Sequence, residues 1–141
     1  ILIDSPPSLG LLTLNVLVYA QSVLIPVQAE FYALEGLSML SKTVDRVKQS
    51  LNPNLSILGL VLTMHDGRTN LSQQVEEEVR RVFGQKVFKS IITRSIRFSE
   101  SSSFGKPIIF YDFRSKGALN YIELCQEVLN VCEKAGTGPR A

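Results

Sequence analysis

Short apolar runs alternate along the chain with longer segments in which apolar residues recur every three or four positions. That rhythm predicts βα units and a parallel sheet. Strands are expected at Ile1–Asp4, Val23–Val27, Ile57–Met64 and Val87–Ile92. They are rich in Val, Ile and Leu without clean alternation, as strands covered on both faces are. The segments between them read as helices. Leu9–Ala20 follows Ser8, a suitable N-cap, and is apolar nearly all round, which predicts a buried helix. Over 34–51, Leu34, Leu37, Leu40, Val44, Val47 and Leu51 form one stripe, and Asn52-Pro53 ends it. Ser72–Phe83 should bury Val75, Val79 and Val82 and stop at Gly84, and a last helix is expected over Lys116–Glu133. Between Ile92 and Pro107 lies a polar stretch without periodicity, expected to be a functional or disordered loop. A single domain is expected over 1–134, with Ala135–Ala141 as a fraying tail.

Composition changes this picture little. With 45% hydrophobic and 20% charged residues, the chain falls in the ordinary globular class. A net charge of +2 argues for no partner by itself. No apolar run approaches the ~20 residues that a membrane span needs, and no signal peptide is present. Cys125 and Cys132 stand seven apart in a helical segment. That spacing rises ~10 Å along the axis, beyond the ~7 Å Cα limit for a disulfide. They share a face with Ile122, Val128 and Leu129 and read as small buried hydrophobes, in keeping with a reducing cytoplasm. One histidine and no CxxC leave no metal site of the zinc type. Because a buried-strand pattern begins at Ile1 without an initiator Met, the protein is expected to continue upstream.

Three stretches carry candidate chemistry. Asp4 ends an apolar run and is followed by Ser5-Pro6-Pro7. In open parallel sheets ligands sit beyond the carboxyl ends of strands, and in P-loop proteins an aspartate there holds Mg²⁺, usually through a water. The two prolines stiffen the next loop and remove N–H donors, which suits a switch segment. Taken alone, a solvated aspartate before a turn is the plainer account. The second stretch is His65-Asp66-Gly67-Arg68-Thr69-Asn70, after the Ile57–Met64 strand. Asp66-Gly67 makes a tight turn from which Arg68 projects. The plainer account is a polar loop with Asp66 or Asn70 capping the next helix, and His65 is expected on its surface. The third is the loop after Ile92, where Arg94, Arg97 and Lys106 could meet phosphates while Phe98 and Phe104 anchor it to the body. Its run Ser99–Ser103 is also what a flexible linker looks like. Glu76-Glu77-Glu78 with Arg80-Arg81 reads as a solvated helix face paired at i,i+3 and i,i+4.

Four motifs occur in order: Asp4-Ser5-Pro6-Pro7-Ser8-Leu9, then 26–36 (PVQAEFYALEG), then Thr63-Met64-His65-Asp66-Gly67-Arg68-Thr69, then Ser103-Phe104-Gly105-Lys106-Pro107-Ile108. Over nearly its whole length the chain resembles the ParA/Soj partition ATPases, which segregate chromosomes and plasmids. The resemblance implies a doubly wound, mostly parallel α/β sheet of the P-loop NTPase type, related to MinD and nitrogenase iron protein. It places these residues in the C-terminal part of that domain, downstream of the family's deviant P-loop, which this sequence lacks. By that resemblance Asp4 matches the Walker B aspartate, touching Mg²⁺ through water, and Pro6 and Pro7 fall in the γ-phosphate switch. The helix at Leu9–Ala20 matches one near the face where two protomers sandwich ATP. Met64, Thr93 and Arg94 match segments near the adenine, and Arg68 and Arg97 match arginines that bind DNA without reading sequence. The implied parent binds ATP and Mg²⁺, forms a homodimer when ATP-bound, coats nucleoid DNA in the cytoplasm, and hydrolyses ATP when a ParB-type partner stimulates it. The fragment by itself is expected to be inactive. Two departures stand out: Thr93-Arg94-Ser95 replaces the family's usual Pro-Arg-Asn, and Ser101-Ser102 its usual Ala-Pro.

Three rivals remain. A MinD-like membrane-associated positioning ATPase normally ends in a basic amphipathic helix, which Ala135–Ala141 cannot form. An iron–sulfur carrier on the same fold needs a CxxC-like ligand set. A non-catalytic interaction domain on the same fold is separated only by the sequence upstream.

Overall fold

The middle of the sheet is Ser56–His65, called β2, whose central residues Gly59–Leu62 are all buried. The computed structural model describes residues 1–6 and 8–134. Pro7 and the tail Ala135–Ala141 lie outside the described residues. Flanking β2 are β1 (Ser22–Gln28) and β3 (Val87–Thr93), both parallel to it, in the order β1-β2-β3. Crossovers between parallel strands need a dozen residues or more. Helices α2 (Ala33–Ser50) and α3 (Asn70–Phe83) supply them. Before β1 comes α1 (Leu11–Tyr19), and after β3 come α4 (Ile96–Ser103), the single-turn α5 (Ile108–Tyr111) and α6 (Lys116–Lys134).

Both faces of the sheet are covered, which explains why its strands do not alternate. Leu60 and Leu62 pack on one side with Ile25, Val27, Leu37, Val75 and Val79. Val61, pointing the opposite way, joins Phe88, Ile92 and Leu124 of α6. A third cluster, Leu17, Val44, Val47 and Leu55, ties α1 to α2. Asn52 reinforces that joint by donating to Leu17 O at 3.1 Å and Ala20 O at 2.7 Å, carbonyls freed at the end of α1. Gly84 stops α3 with a φ of 53°, a conformation that costs glycine little.

Several expectations are corrected. Ile1–Asp4 forms no strand: Ile1 and Leu2 are fully exposed, and the outer edge of β1 meets no strand among the described residues. A strand is held by its neighbour's N–H and C=O groups, so four apolar residues without that neighbour stay unpaired. The first helix begins at Leu11 behind Gly10, without the Ser8 side-chain cap, and buries only Thr13 and Leu17. Leu11, Leu12 and Tyr19 face outward because α1 lies against α2 on one side alone. In α3, Val75 and Val79 are buried as expected but Val82 is exposed. In α6 the inward stripe is Leu124, Val128 and Val131, while Cys125 is exposed and Cys132 half-buried. The long polar stretch after Ile92 is not one loop. Ser95 accepts from the N–H of Arg97 and opens α4, and the ring of Phe98 meets Tyr121 edge-on at 5.6 Å beside Gly117. Phe104, by contrast, stacks only on Tyr111 and remains exposed.

Candidate functional site

The carboxyl ends of β2 and β3 are joined side by side. His65 pairs with Thr93, and the N–H of Arg94 donates to His65 O at 3.0 Å. Two polar segments leave from that joint, 66–69 toward α3 and 94–95 toward α4. Met64 sits just before it with a φ of 53°, uncommon for a side chain with a Cβ. There β2 advances three residues while β3 advances two, so Met64 is the turning point of a bulge. The turn swings His65 inward. Rather than lying on the surface as expected, His65 is buried, its Nε2 3.0 Å from Glu76 Oε2 but not aligned as a hydrogen bond.

The segment 66–69 is tightly laced. Thr69, not Asp66 or Asn70, caps α3 by accepting from the N–H of Ser72. Asp66 O accepts from both the N–H and the hydroxyl of Thr69, and Gln73 donates to Gly67 O at 2.8 Å. That leaves the Asp66 carboxylate free to take the Arg68 side chain in a two-pronged grip, Nε at 2.9 Å and Nη2 at 2.8 Å. Hydrogen bonds from the Arg68 side chain and N–H, with the nearby charge of Arg94, hold the Asp66 carboxyl far below the usual carboxylate range. Arg68 is raised in turn by its bond to Asp66, though its side chain is 90% exposed.

Across the joint, Arg97 lies in the first turn of α4 and is held similarly. Its Nη1 donates to Glu100 Oε2 at 3.0 Å, its Nε lies 3.7 Å from Asp112 Oδ2, and the Tyr111 hydroxyl donates to the same Glu100 oxygen. The Glu100 hydrogen bond, then the charges of Glu100 and Asp112, raise the Arg97 pKa. Thr93 is fixed by the Asn120 side chain, whose amide meets the Thr93 hydroxyl at 3.1 Å from α6. The structure therefore gathers Met64, Arg68, Thr93, Arg94 and Arg97 at one end of the sheet. Asp4 does not join a strand end. Among the described residues no group of three or more His, Cys, Asp or Glu side chains gathers to hold a metal ion.

Sequence reasoning did not single out Asn120, and it put His65 and Glu76 on the surface, where the structure sets them 3.0 Å apart with His65 buried. Only the pairing of Asp66 with Arg68 left a signal, since an aspartate two residues before an arginine in a tight turn can bond both its N–H and its side chain. The face of α3 is as expected: Glu76 pairs with Arg80 and Glu78 with Arg81.

Parallel strands, helical crossovers on both faces and a polar edge beyond the strand ends define half of an α/β nucleotide-binding fold of the P-loop ATPase class. A solved cobyrinic acid a,c-diamide synthase from Mycobacterium smegmatis, with bound ATP analog and magnesium, superposes with a TM-score of 0.72 at 33% identity. The match covers 98% of this chain and 49% of that one. An AAA domain family model matches residues 1–57. The chain is 58% identical over 129 residues to the chromosome partitioning protein ParA of Myxococcus xanthus, covering 92% of this chain and 46% of that protein. It is 49% identical over 135 residues to the chromosome-partitioning ATPase Soj of Thermus thermophilus, covering 96% and 54% respectively. Over 92% and 96% of its length the chain is similar to these ParA/Soj partitioning proteins, and it spans about half the length of the curated relatives it matches. Among the described residues no helix is long and apolar enough to cross a membrane.

Proposed function

We propose that the chain is the C-terminal part of a ParA-type partition ATPase whose end-of-sheet arginines, Arg68 and Arg97, hold DNA through its phosphates. The observation that carries the reading is the shared joint of β2 and β3, from which both arginine-bearing segments leave at one end of the sheet. Phosphate contacts fix position without reading bases, which suits a protein that coats DNA of any sequence. The parent binds ATP with Mg²⁺, in keeping with the nucleotide and magnesium of the solved structure it resembles. Asp4 touches the ion through water, Pro6 and Pro7 form the switch, and Met64, Thr93 and Arg94 lie near the adenine. The apolar side chains that α1 turns outward, Leu11, Leu12 and Tyr19, support a role for that helix near the contact between two ATP-bound protomers. A ParB-type partner stimulates hydrolysis, and the protein is cytoplasmic and nucleoid-associated.

A salt titration of the ATP-bound parent on two duplexes of unrelated sequence tests the DNA reading. Arg68→Ala and Arg97→Ala should weaken both duplexes equally, and each lost phosphate contact should flatten the log–log salt slope by about 0.9. An Arg68→Ala, Arg97→Ala double variant with parental affinity and slope would return both residues to solvated loop charges. For the nucleotide, Asp4→Ala should abolish Mg²⁺-dependent hydrolysis. Parental turnover in that variant would refute the Walker B assignment.

A further inference from the structure

Arg68 and Arg97 are matched here by three carboxylates of the same chain, Asp66 for the first and Glu100 and Asp112 for the second. The matching is specific in geometry. Asp66 grips Arg68 with both oxygens, the planar fork that a phosphate would otherwise occupy. Glu100 Oε2 takes an Arg97 N–H while the Tyr111 hydroxyl steadies the same oxygen. Each carboxylate has a share in its segment, Asp66 Oδ1 accepting from the Arg68 N–H at 3.1 Å and Glu100 from the Tyr111 hydroxyl, but neither is the sole support. The 66–69 turn is fixed by Thr69, Ser72 and Gln73, and α4 is fixed by Ser95 and by Phe98 against Tyr121.

From this we infer that Asp66 and Glu100 act as built-in competitors of the DNA backbone, occupying the arginine forks until phosphates displace them. The inference rests on the DNA reading above and adds to it the residues that set its strength. A bare arginine patch would bind any polyanion tightly. With its counter-charges attached, it binds only where phosphates are dense enough to replace them, as a duplex offers and an isolated anion does not. Because the pairs are exposed, each competitor weakens binding by a modest factor, about two- to fivefold.

The test is a double-mutant cycle on the ATP-bound parent, read by fluorescence anisotropy on a duplex at fixed salt. Asp66→Asn removes the charge but keeps the Oδ1 acceptor that holds the Arg68 N–H. Affinity should rise about two- to fivefold in Asp66→Asn, and that gain should vanish when Arg68→Ala is also present. Glu100→Gln with Arg97→Ala forms a second cycle on an independent helix, with the same expected pattern. An equal gain in both arginine backgrounds would mean simple relief of charge repulsion and would overturn the inference. So would weaker binding in Asp66→Asn and Glu100→Gln, which would make the carboxylates organisers of the forks. The DNA reading fails separately: if neither single arginine variant changes affinity, the arginines do not touch DNA, and the competitors fall with them.

Discussion

Removing the Glu127 carboxylate should unpin the strand on which half of the candidate site is mounted. Between the pairs Leu60–Val87 and Leu62–Ile91, β2 advances two residues while β3 advances four. The surplus residues of β3 cannot all use the ladder, and α6 supplies the missing partner. Glu127 accepts from the N–H of Lys89 at 2.8 Å, the N–H of Ser90 at 2.7 Å and the Ser90 hydroxyl. Arg80 donates to Phe88 O at 3.2 Å from α3. A hydrogen bond to a charged acceptor contributes about 1.5–3 kcal/mol, and a half-exposed site lets water recover part of it. Glu127→Ala should therefore cost the parent about 2–4 kcal/mol, and Glu127→Gln, which keeps one acceptor oxygen, about 1–2 kcal/mol. Urea unfolding gives the global loss. Amide hydrogen exchange at Lys89 and Ser90 shows whether it arises at the bulge. A loss in Glu127→Ala below about 0.5 kcal/mol, with exchange at Ser90 unchanged, would show that water serves these groups as well as the carboxylate does.

The same carboxylate sets an acid response: burial pushes its pKa up, but bonds from the Ser90 hydroxyl and the Lys89 and Ser90 N–H groups outweigh this and lower it. Its contribution is full above the ordinary value of 4.5 and is lost as pH falls through the lower folded value, so stability measured from pH 6 downward should drop less steeply in Glu127→Gln. Gly59→Ala would set a Cβ 2.5 Å from the Phe88 ring and 3.1 Å from Lys86 O, and should cost about 1–3 kcal/mol in urea unfolding through overpacking. Gly117→Ala would meet the Phe98 ring at 2.6 Å; it should shift the Tyr121 ring resonances and loosen α4, which carries Arg97. Thr69→Ala removes the N-cap of α3 and should cost about 1 kcal/mol in the same unfolding assay.

Sequence by itself determined the alternation of β1, α2, β2, α3 and β3, because each strand is a compact apolar run and each crossover helix has one stripe closed by a turn signal. It also determined the ion-paired face of α3, since pairing three or four residues apart depends only on the helix. The family motifs pointed to Met64, Arg68, Thr93, Arg94 and Arg97 before any of them had neighbours. Tertiary structure decided the rest. Periodicity says that α6 has an apolar stripe, but only contact with Phe88 and Ile92 selects Leu124, Val128 and Val131 over the cysteines one position away from the first and last of them. An apolar helix such as α1 is buried only as far as its neighbours cover it, and Ile1–Asp4 becomes a strand only where another strand meets it. Ser95 and Phe98 convert a serine-rich stretch into α4 because Tyr121 and Gly117, about twenty residues away, receive the ring. His65 is drawn inward by the left-handed turn at Met64, and Glu127 meets β3 across 37 residues of sequence. Local pattern is set by bonds and contacts within a few residues, whereas these outcomes depend on groups that become neighbours only when the protein folds.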